Sequence, residues 1–455
     1  MADMIKKGAH GCTREEQYVY PENPLLRERL EWFRDQKLAL MMHFGPYSQM
    51  GIRESWPLSD EDAVWSRDDV TWEHDRDTFR QQYINLNKSF NPVCINPDEW
   101  ADVAARNGFK YLIFTTKHHD GFCMFDTQYT DYKVTSPDCP FHTHKYADIA
   151  KHLFDAFRKR DVAIAAYFSK PDWHCPWYWA EGMEKTVGAD RNPTYNPAER
   201  PDIWEKFVQF TQNQMMELIE NYGRIDVLWL DGGQVRPQNG QDIRLSEFAA
   251  RARKIQPWLL TADRTVGGEN ENYITPEQSV PDHPISVPWE SCVKLGRGWG
   301  YRYDDRFMSV RELVHMLIDV VSRGGNLAVD IGPQPNGMLP AAAVRVLDGL
   351  GAWMKANGEA IYGTRATAPH EAGKIAFTRK EGSVYALIRQ PEGVSVGGKI
   401  VIPWPEDVAG MTLLGPDIGL DFVRKEGGYE VTIPDAIALS CPIAPVIRMD
   451  MSGNA

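Results

Sequence analysis

Residues 225–233 read IDVLWLDGG. Five of the first six residues are apolar, and the run then meets an aspartate and two glycines. Strands buried on both faces have this near-continuous apolar character. Asp231 therefore falls at the C-terminal end of a strand. Five similar runs flank it: Leu38–Phe44 (LALMMHF), Lys110–Thr116 (KYLIFTT), Val162–Ser169 (VAIAAYFS), Trp258–Ala262 (WLLTA) and Asn326–Ile331 (NLAVDI). Stretches with helical patterning lie between them, at 97–107, 146–160, 202–222, 245–255 and 309–322. Pro97, Asp98 and Glu99 open the first; Ile149, Leu153 and Phe157 repeat every four residues in the second. Strand–helix alternation of this kind predicts a parallel α/β fold. About six strands over roughly 330 residues predict a (β/α)8-like barrel with one or two irregular members. A doubly wound sheet would need a glycine-rich phosphate loop after its first strand. The sequence there, HFGPYSQMGIRESW, has none.

Beyond 361–365 the composition changes. Short β-rich runs follow at Lys374–Arg379, Ser383–Arg389, Gly398–Pro403, Gly427–Pro434 and Val446–Met449. Glycine, proline and charged turns separate them, which predicts a small antiparallel β-sandwich. The expected organisation is an N-terminal extension over 1–29, the barrel over 30–360 and the C-terminal sandwich over 361–455.

The 455 residues carry 50 Lys and Arg against 63 Asp and Glu, a net charge of −13. That balance argues against a nucleic-acid partner, which favours a basic face. It argues also against strongly anionic substrates, although it leaves room for a local basic pocket. No apolar run approaches the roughly 18 residues of a membrane span, so no membrane partner is expected. The opening MADMIKKGAHGCTREEQ lacks the apolar core of a signal peptide. A cytoplasmic location is expected, or a periplasmic or secreted one if a leader precedes this sequence. The seven cysteines are odd in number and form no C-x-x-C pair, so free thiols are expected and a structural zinc is not. Fifteen tryptophans suit a large core or platforms that stack on sugar rings.

In an α/β barrel the site is built where strands end. The first run ends at His43. The second passes into Thr116-Lys117-His118-His119-Asp120-Gly121. The third carries Tyr167 and then Ser169-Lys170-Pro171-Asp172-Trp173-His174. The fourth ends Trp229-Leu230-Asp231-Gly232-Gly233, and the fifth is followed by Asp263-Arg264. Singly, a histidine there is more often structural, and an aspartate before Gly-Gly is more often a turn former. Five such endings on one face make a site. A carboxylate on a rigid strand end, beside an aromatic wall, suits a nucleophile at a sugar carbon that develops positive charge. Gly232 and Gly233 are expected to keep the backbone clear of a ligand. A retaining glycosidase also needs a carboxyl group as proton donor; the downstream candidates are Glu269, Glu271, Glu277 and Glu290. His43, His118, His119 and Asp231 could be drawn as a metal site. Adjacent histidines on extended backbone are poor joint ligands, however, and neither a metal nor a cofactor is expected. A non-catalytic sugar-binding protein is disfavoured by Asp231 together with the downstream glutamates.

These residues also carry a resemblance. WFRDQKLALMMHFGPYS (32–48), EWADVAARNGFKYLIFTTKHHDGFCMFDTQYTDY (99–132), YFSKPDWH (167–174), NYGRIDVLWLDGG (221–233), PWESC (288–292), WGYR (299–302) and GGNLAVDIGPQPNGMLP (324–340) resemble the α-L-fucosidases of glycoside hydrolase family 29. The resemblance implies a (β/α)8-like catalytic domain, a C-terminal β-sandwich, and metal-free retaining exo-hydrolysis of terminal α-L-fucose. It implies a fucosylated oligosaccharide or glycoconjugate as substrate and leaves a homo-oligomer open. Asp231 matches the family nucleophile. His43, His118, His119, Tyr167, Trp229 and Arg264 match residues lining the fucose pocket. Trp56 matches a further pocket tryptophan, with Ser55 where a glutamate usually precedes it. Trp299 is a platform for the sugar's methyl group or a core residue. The family's proton donor holds no single sequence position: Glu290 in PWESC is favoured here and Glu277 in TPEQ is second. The same pocket residues leave open, as the alternative, a glycosidase for a related sugar such as an α-L-galactoside. The choice of aglycone is expected in the loops 51–77 and 175–200, rich in tryptophan and tyrosine.

Overall fold

The computed structural model describes residues 6–7, 11–59, 63–181, 191–394, 397–439 and 441–452. Parts of the expected N-terminal extension (1–5 and 8–10) and of the two loops (60–62 and 182–190) lie outside the described residues. A seven-stranded parallel sheet curls through the first three-quarters of the chain. Its strands are β1 (Leu38–Met42), β2 (Tyr111–Lys117), β3 (Ala163–Ser169), β4 (Val227–Asp231), β5 (Leu260–Asp263), β6 (Glu290–Lys294) and β7 (Asn326–Ile331). In space they run β5-β4-β3-β2-β1-β7-β6. The six apolar runs all form strands. β6 (ESCVK) was not predicted as one, because its sequence is too polar for a buried strand.

Side chains alternate across a strand, and this divides the buried residues into two clusters. Ala39, Met41, Tyr111, Ile113, Ala165, Tyr167, Val227, Trp229, Ala262, Cys292 and Ala328 pack inside the curl. Leu40, Phe114, Ile164, Phe168, Leu228, Leu230 and Val329 pack outward against the helices. The inner cluster is plugged from below by α1 (Pro24–Gln36). Asn23 caps this helix by accepting from the Leu25 N–H at 2.9 Å, and Pro24 sits at its first position. Its Leu26, Leu30 and Phe33, one helical face, enter the inner cluster, and Phe33 stacks on Tyr273 at 4.1 Å. The expected boundary at 29/30 falls inside this helix. The outer helices include α2 (Arg76–Ile84), α3 (Pro97–Arg106), α4 (Ile149–Arg158), α5 (Pro201–Asn221), α6 (Leu245–Ile255), α7 (Val310–Ser322) and α8 (Ala341–Asn357). Among the described residues no helix is long and apolar enough to cross a membrane.

β5 and β6 end the sheet order, so a seam separates them. The irregular segment 270–278 closes it. On one side the Asn272 N–H donates to the Thr261 carbonyl; on the other, the Gln278 N–H donates to the Cys292 carbonyl and the Cys292 N–H to that of Pro276. This segment fills the place of an eighth strand without becoming one.

After residue 361 come β8 (Arg365–Ala372), β9 (Ile375–Lys380), β10 (Ser383–Ile388), β11 (Gly398–Ile402), β12 (Val408–Leu413), β13 (Asp421–Lys425), β14 (Gly428–Ile433) and β15 (Val446–Met451). One antiparallel sheet is ordered β8-β9-β10-β15-β12 and ends in the pair 418–419; the other is β11-β14-β13. They enclose a separate core around Phe377, Ile402, Trp404, Leu413, Val431 and Met449. The fold is a curled parallel β/α barrel followed by an antiparallel β-sandwich.

Candidate active site

The strand ends bring the site together. His43, Trp56, His118, His119, Tyr167, Trp229, Asp231, Arg264, Glu277 and Trp299 line one cavity of about 250 Å³, with Gly11, Met41 and Cys292 among the rest of its wall. That is below the roughly 300–1,000 Å³ of drug-sized sites and suits a single sugar ring.

Asp231 ends β4 at the rim. One carboxylate oxygen accepts from the Tyr167 hydroxyl at 2.6 Å; the other accepts from Arg264 Nη1 at 2.8 Å and from the Gly232 N–H at 2.8 Å. Burial alone would raise its pKa. Arg264 foremost, then His119, Tyr167 and Gly232, outweigh burial and hold it well below the usual carboxylate range. The carboxylate is thus ionised and fixed in place without being neutralised by a proton. The glycines after it line the cavity and are also constrained by packing. A Cβ on Gly232, whose φ is +87°, would lie 2.1 Å from Pro171, and one on Gly233 would lie 1.9 Å from the Thr265 hydroxyl.

Arg264 follows β5 and is buried. Its Nη2 donates to Glu277 Oε2 at 2.7 Å, its Nε donates to the Thr275 hydroxyl at 3.1 Å, and its guanidinium carbon sits 4.5 Å from the Trp229 ring centroid. One guanidinium therefore bridges Asp231 and Glu277. The Glu277 side chain is 40% exposed, so its second oxygen can reach a ligand.

Glu290 departs from expectation. It opens β6 at the strand's N-terminal end and points inward, two residues below Cys292. It is fully buried, accepting hydrogen bonds from the Tyr111 hydroxyl and, at 3.0 Å, from Trp229 Nε1. It does not line the cavity; Trp229 lies between. Burial lifts its pKa to about 7. Glu271 is also withdrawn. Its carboxylate accepts from the Gly267 N–H and the Thr13 hydroxyl, both at 2.6 Å, and so folds its own loop. Glu269 faces a different cavity, beside Lys170 and Asp242. Of the four candidate acids only Glu277 shares the cavity with Asp231.

The histidines are arranged by neighbours. His118 Nδ1 is 2.6 Å from the Ser55 hydroxyl, and His119 Nδ1 is bonded to the Ser169 hydroxyl. Burial, with neighbouring positive charge, drives the His118 pKa well down. Burial takes His119 to about 4 against the pull of Asp231. Both rings are neutral near pH 7, and each has Nε2 left for a hydroxyl group. Ser55 sets the orientation of His118. His43 differs. Its Nδ1 is 2.7 Å from Asp330, which overcomes burial and raises its pKa. Trp56 stands edge-on to His119 at 5.1 Å, and Trp299 faces His43 at 5.4 Å.

Sequence reasoning missed the struts. Asp330 lies within NLAVDI, where its place near the end of the last strand was the available signal. Lys117 Nζ donates to Asp172 and Gln214, each at 3.0 Å, and Lys170 pairs with Asp263. These buried ion pairs lock the two strand ends that carry His119 and Arg264. Gly11, Thr13 and Tyr18 were assigned to an extension, yet they fasten the seam. Gly11 lies against Glu277, and the Tyr18 hydroxyl donates to the Asn272 carbonyl at 2.6 Å. Among the described residues no group of His, Cys, Asp and Glu is placed to hold a metal ion.

The family model for α-L-fucosidases matches residues 9–359. Human plasma α-L-fucosidase is 27% identical over 450 residues, covering 94% of this chain and 90% of that protein. An α-L-fucosidase of Branchiostoma floridae is 26% identical over 441 residues, 92% of each. Among solved structures, α-L-fucosidase isoenzyme 1 from Paenibacillus thiaminolyticus has a TM-score of 0.78 at 30% identity, over 94% of this chain and 100% of that one. The Thermotoga maritima α-fucosidase in complex with fucose has a TM-score of 0.75 at 27% identity, over 95% and 100%.

Proposed function

The chain belongs to the α-L-fucosidase family of glycoside hydrolases, family 29, and from this premise we propose that it removes terminal α-L-fucose from fucosylated glycans by a double displacement. The first displacement forms a covalent glycosyl-enzyme on Asp231. Glu277, rather than Glu290, protonates the departing oxygen and then takes a proton from the water that attacks in the second step. The observation that carries this reading is that Asp231 and Glu277 share one guanidinium, Arg264, at one cavity wall. A retaining pair requires carboxyl groups about 5–5.5 Å apart, and two carboxylates held by one guanidinium fit so close a spacing. His43, His118 and His119 bind sugar hydroxyls; Tyr167 and Trp229 form the floor; Trp56 and Trp299 form the walls. We further take the chain to divide into a catalytic domain ending near 360, into which residues 11–29 are packed, and the sandwich 361–455.

Two variants test the chemistry. Asp231→Gly should lose several orders of magnitude in turnover of an aryl α-L-fucoside. Azide should then attack the substrate directly and give the β-fucosyl azide. Glu277→Ala should lose far more activity on a fucosylated sugar than on an activated aryl fucoside, because only the poor leaving group needs a proton. On the activated substrate the glycosyl-enzyme should accumulate, and azide should release it as the α-azide. Near-wild-type turnover in Asp231→Gly would end the nucleophile assignment. The same factor on both substrates in Glu277→Ala would end the proton-donor assignment.

A further inference from the structure

If Glu277 delivers the proton, the sugar that leaves must lie beyond it. A second cavity, of about 350 Å³, adjoins the first there and shares Trp56, Glu277 and Trp299 with it. Its wall also carries three cations, Arg53, Lys294 and Arg297, and the ring of Trp65. Two of the cations are already engaged. Arg53 pairs with Asp69 at 3.2 Å and lies over Trp65; Arg297 pairs with Asp304 at 3.0 Å. Lys294 is not. It ends β6 at the barrel mouth and is half-buried. Its ammonium faces the Trp299 ring with 5.8 Å to the centroid, and it has no hydrogen-bond or ion-pair partner among the described residues. The remaining carboxylate of the wall, Glu54, is buried and accepts from the Gly300 N–H at 2.7 Å, so it is committed to the backbone.

Glu54 and Asp330 act on Lys294 through space but neither contacts it, and a half-buried ammonium without a contacting anion attracts one, the more so where aromatic walls displace water. We infer that this cavity is the leaving-group subsite and that it takes a sugar bearing one anionic substituent, a carboxylate or a sulfate ester, with Lys294 as the anion's partner. Trp65 and Trp299 supply faces for the ring. The inference rests on the assignment of Glu277 as proton donor. It runs against the chain's net charge of −13, which repels anions at long range. The contact is therefore local, and it is weakened by salt.

The test is a set of matched substrates. One pair is para-nitrophenyl α-L-fucoside and its ring-carboxylated analogue. A second is fucosyl-N-acetylglucosamine with and without a sulfate on its primary hydroxyl. A third is fucosyl-galactose against fucosyl-galacturonic acid. The wild type should favour the anionic member of at least one pair by about tenfold in kcat/KM, the scale of one charge-assisted hydrogen bond. Added salt should erode that preference. Lys294→Gln should abolish it and Lys294→Arg should retain it; the sulfate and uronate arms identify which anion fits. Equal kcat/KM within every pair for the wild type would overturn the inference, as would a salt-insensitive preference or one that survives in Lys294→Gln. Failure of the Glu277 assignment is read separately, from neutral substrates in Glu277→Ala.

Discussion

Glu290→Gln separates the structural role of Glu290 from a catalytic one. The change is nearly isosteric and removes only the ability to ionise. In the folded chain burial lifts the Glu290 carboxyl from the ordinary 4.5 to about 7, so the folded state holds the proton more tightly than the unfolded state. Its contribution to stability is therefore complete below about pH 4.5 and is lost as pH rises through 7. Each pKa unit is worth about 1.4 kcal/mol, so the loss across that window is about 3 kcal/mol. Glutamine has nothing to ionise. It can still accept from Trp229 Nε1 through its oxygen and donate to the Tyr111 oxygen through its amide. Urea unfolding should thus find the variant and the wild type similar near pH 4.5, with the variant ahead by up to about 3 kcal/mol at pH 8. Turnover of aryl and disaccharide fucosides should change by only a few-fold, since Trp229 stands between this carboxyl and the cavity. A stability difference that does not vary with pH would refute the burial argument. A loss confined to poor leaving groups and relieved by azide would make Glu290 the proton donor.

Three further changes probe the supports of the site. Arg264→Met removes the foremost charge that opposes burial at Asp231, so the Asp231 pKa should rise and the acidic limb of kcat/KM on an aryl fucoside should move to higher pH; an unmoved limb would contradict this. Asp330→Asn removes the anion that raises the His43 pKa and fixes its ring, and should weaken fucose binding by about 1–2 kcal/mol in titration calorimetry while leaving the fold intact. Thr13→Val removes a buried donor to Glu271 and should cost about 1–2 kcal/mol locally, seen as faster amide exchange at Gly267 and Thr265, whose N–H groups also bond that carboxylate.

The sequence revealed what is periodic. Runs such as VLWLD and LIFTT are apolar on both faces because helices cover one face and the inner cluster fills the other, and that double burial makes them readable. The strand-end residues followed from the same logic. ESCVK escaped because its inward positions hold Glu290, Cys292 and Lys294, the first two met by Tyr111, Trp229 and Arg264 from distant chain segments. α1 escaped for another reason: it precedes the first strand and so lies outside the strand–helix alternation that guided the reading. In the sandwich, Asp421–Lys425 is an exposed strand of largely charged sequence with no apolar alternation to betray it. The proposed preference for Glu277 over Glu290 rests on depth, since Glu277 lines the cavity and Glu290 is buried beneath it. A motif gives order along the chain, whereas the donor's identity depends on which end of a strand the residue occupies.

The seam between β5 and β6 has an evolutionary consequence. Seven staves of this barrel are locked in ladders, where a slip of one residue would swap every inner side chain for an outer one. Asp231 inherits that rigidity, and its place in the sequence cannot drift. The eighth stave is tied to its neighbours by isolated backbone bonds rather than by a continuous ladder. Residues can be gained or lost along it while a carboxylate still arrives beside the arginine that follows β5. The proposed nucleophile is thus held by a continuous ladder, and its proposed partner by a few separate backbone bonds.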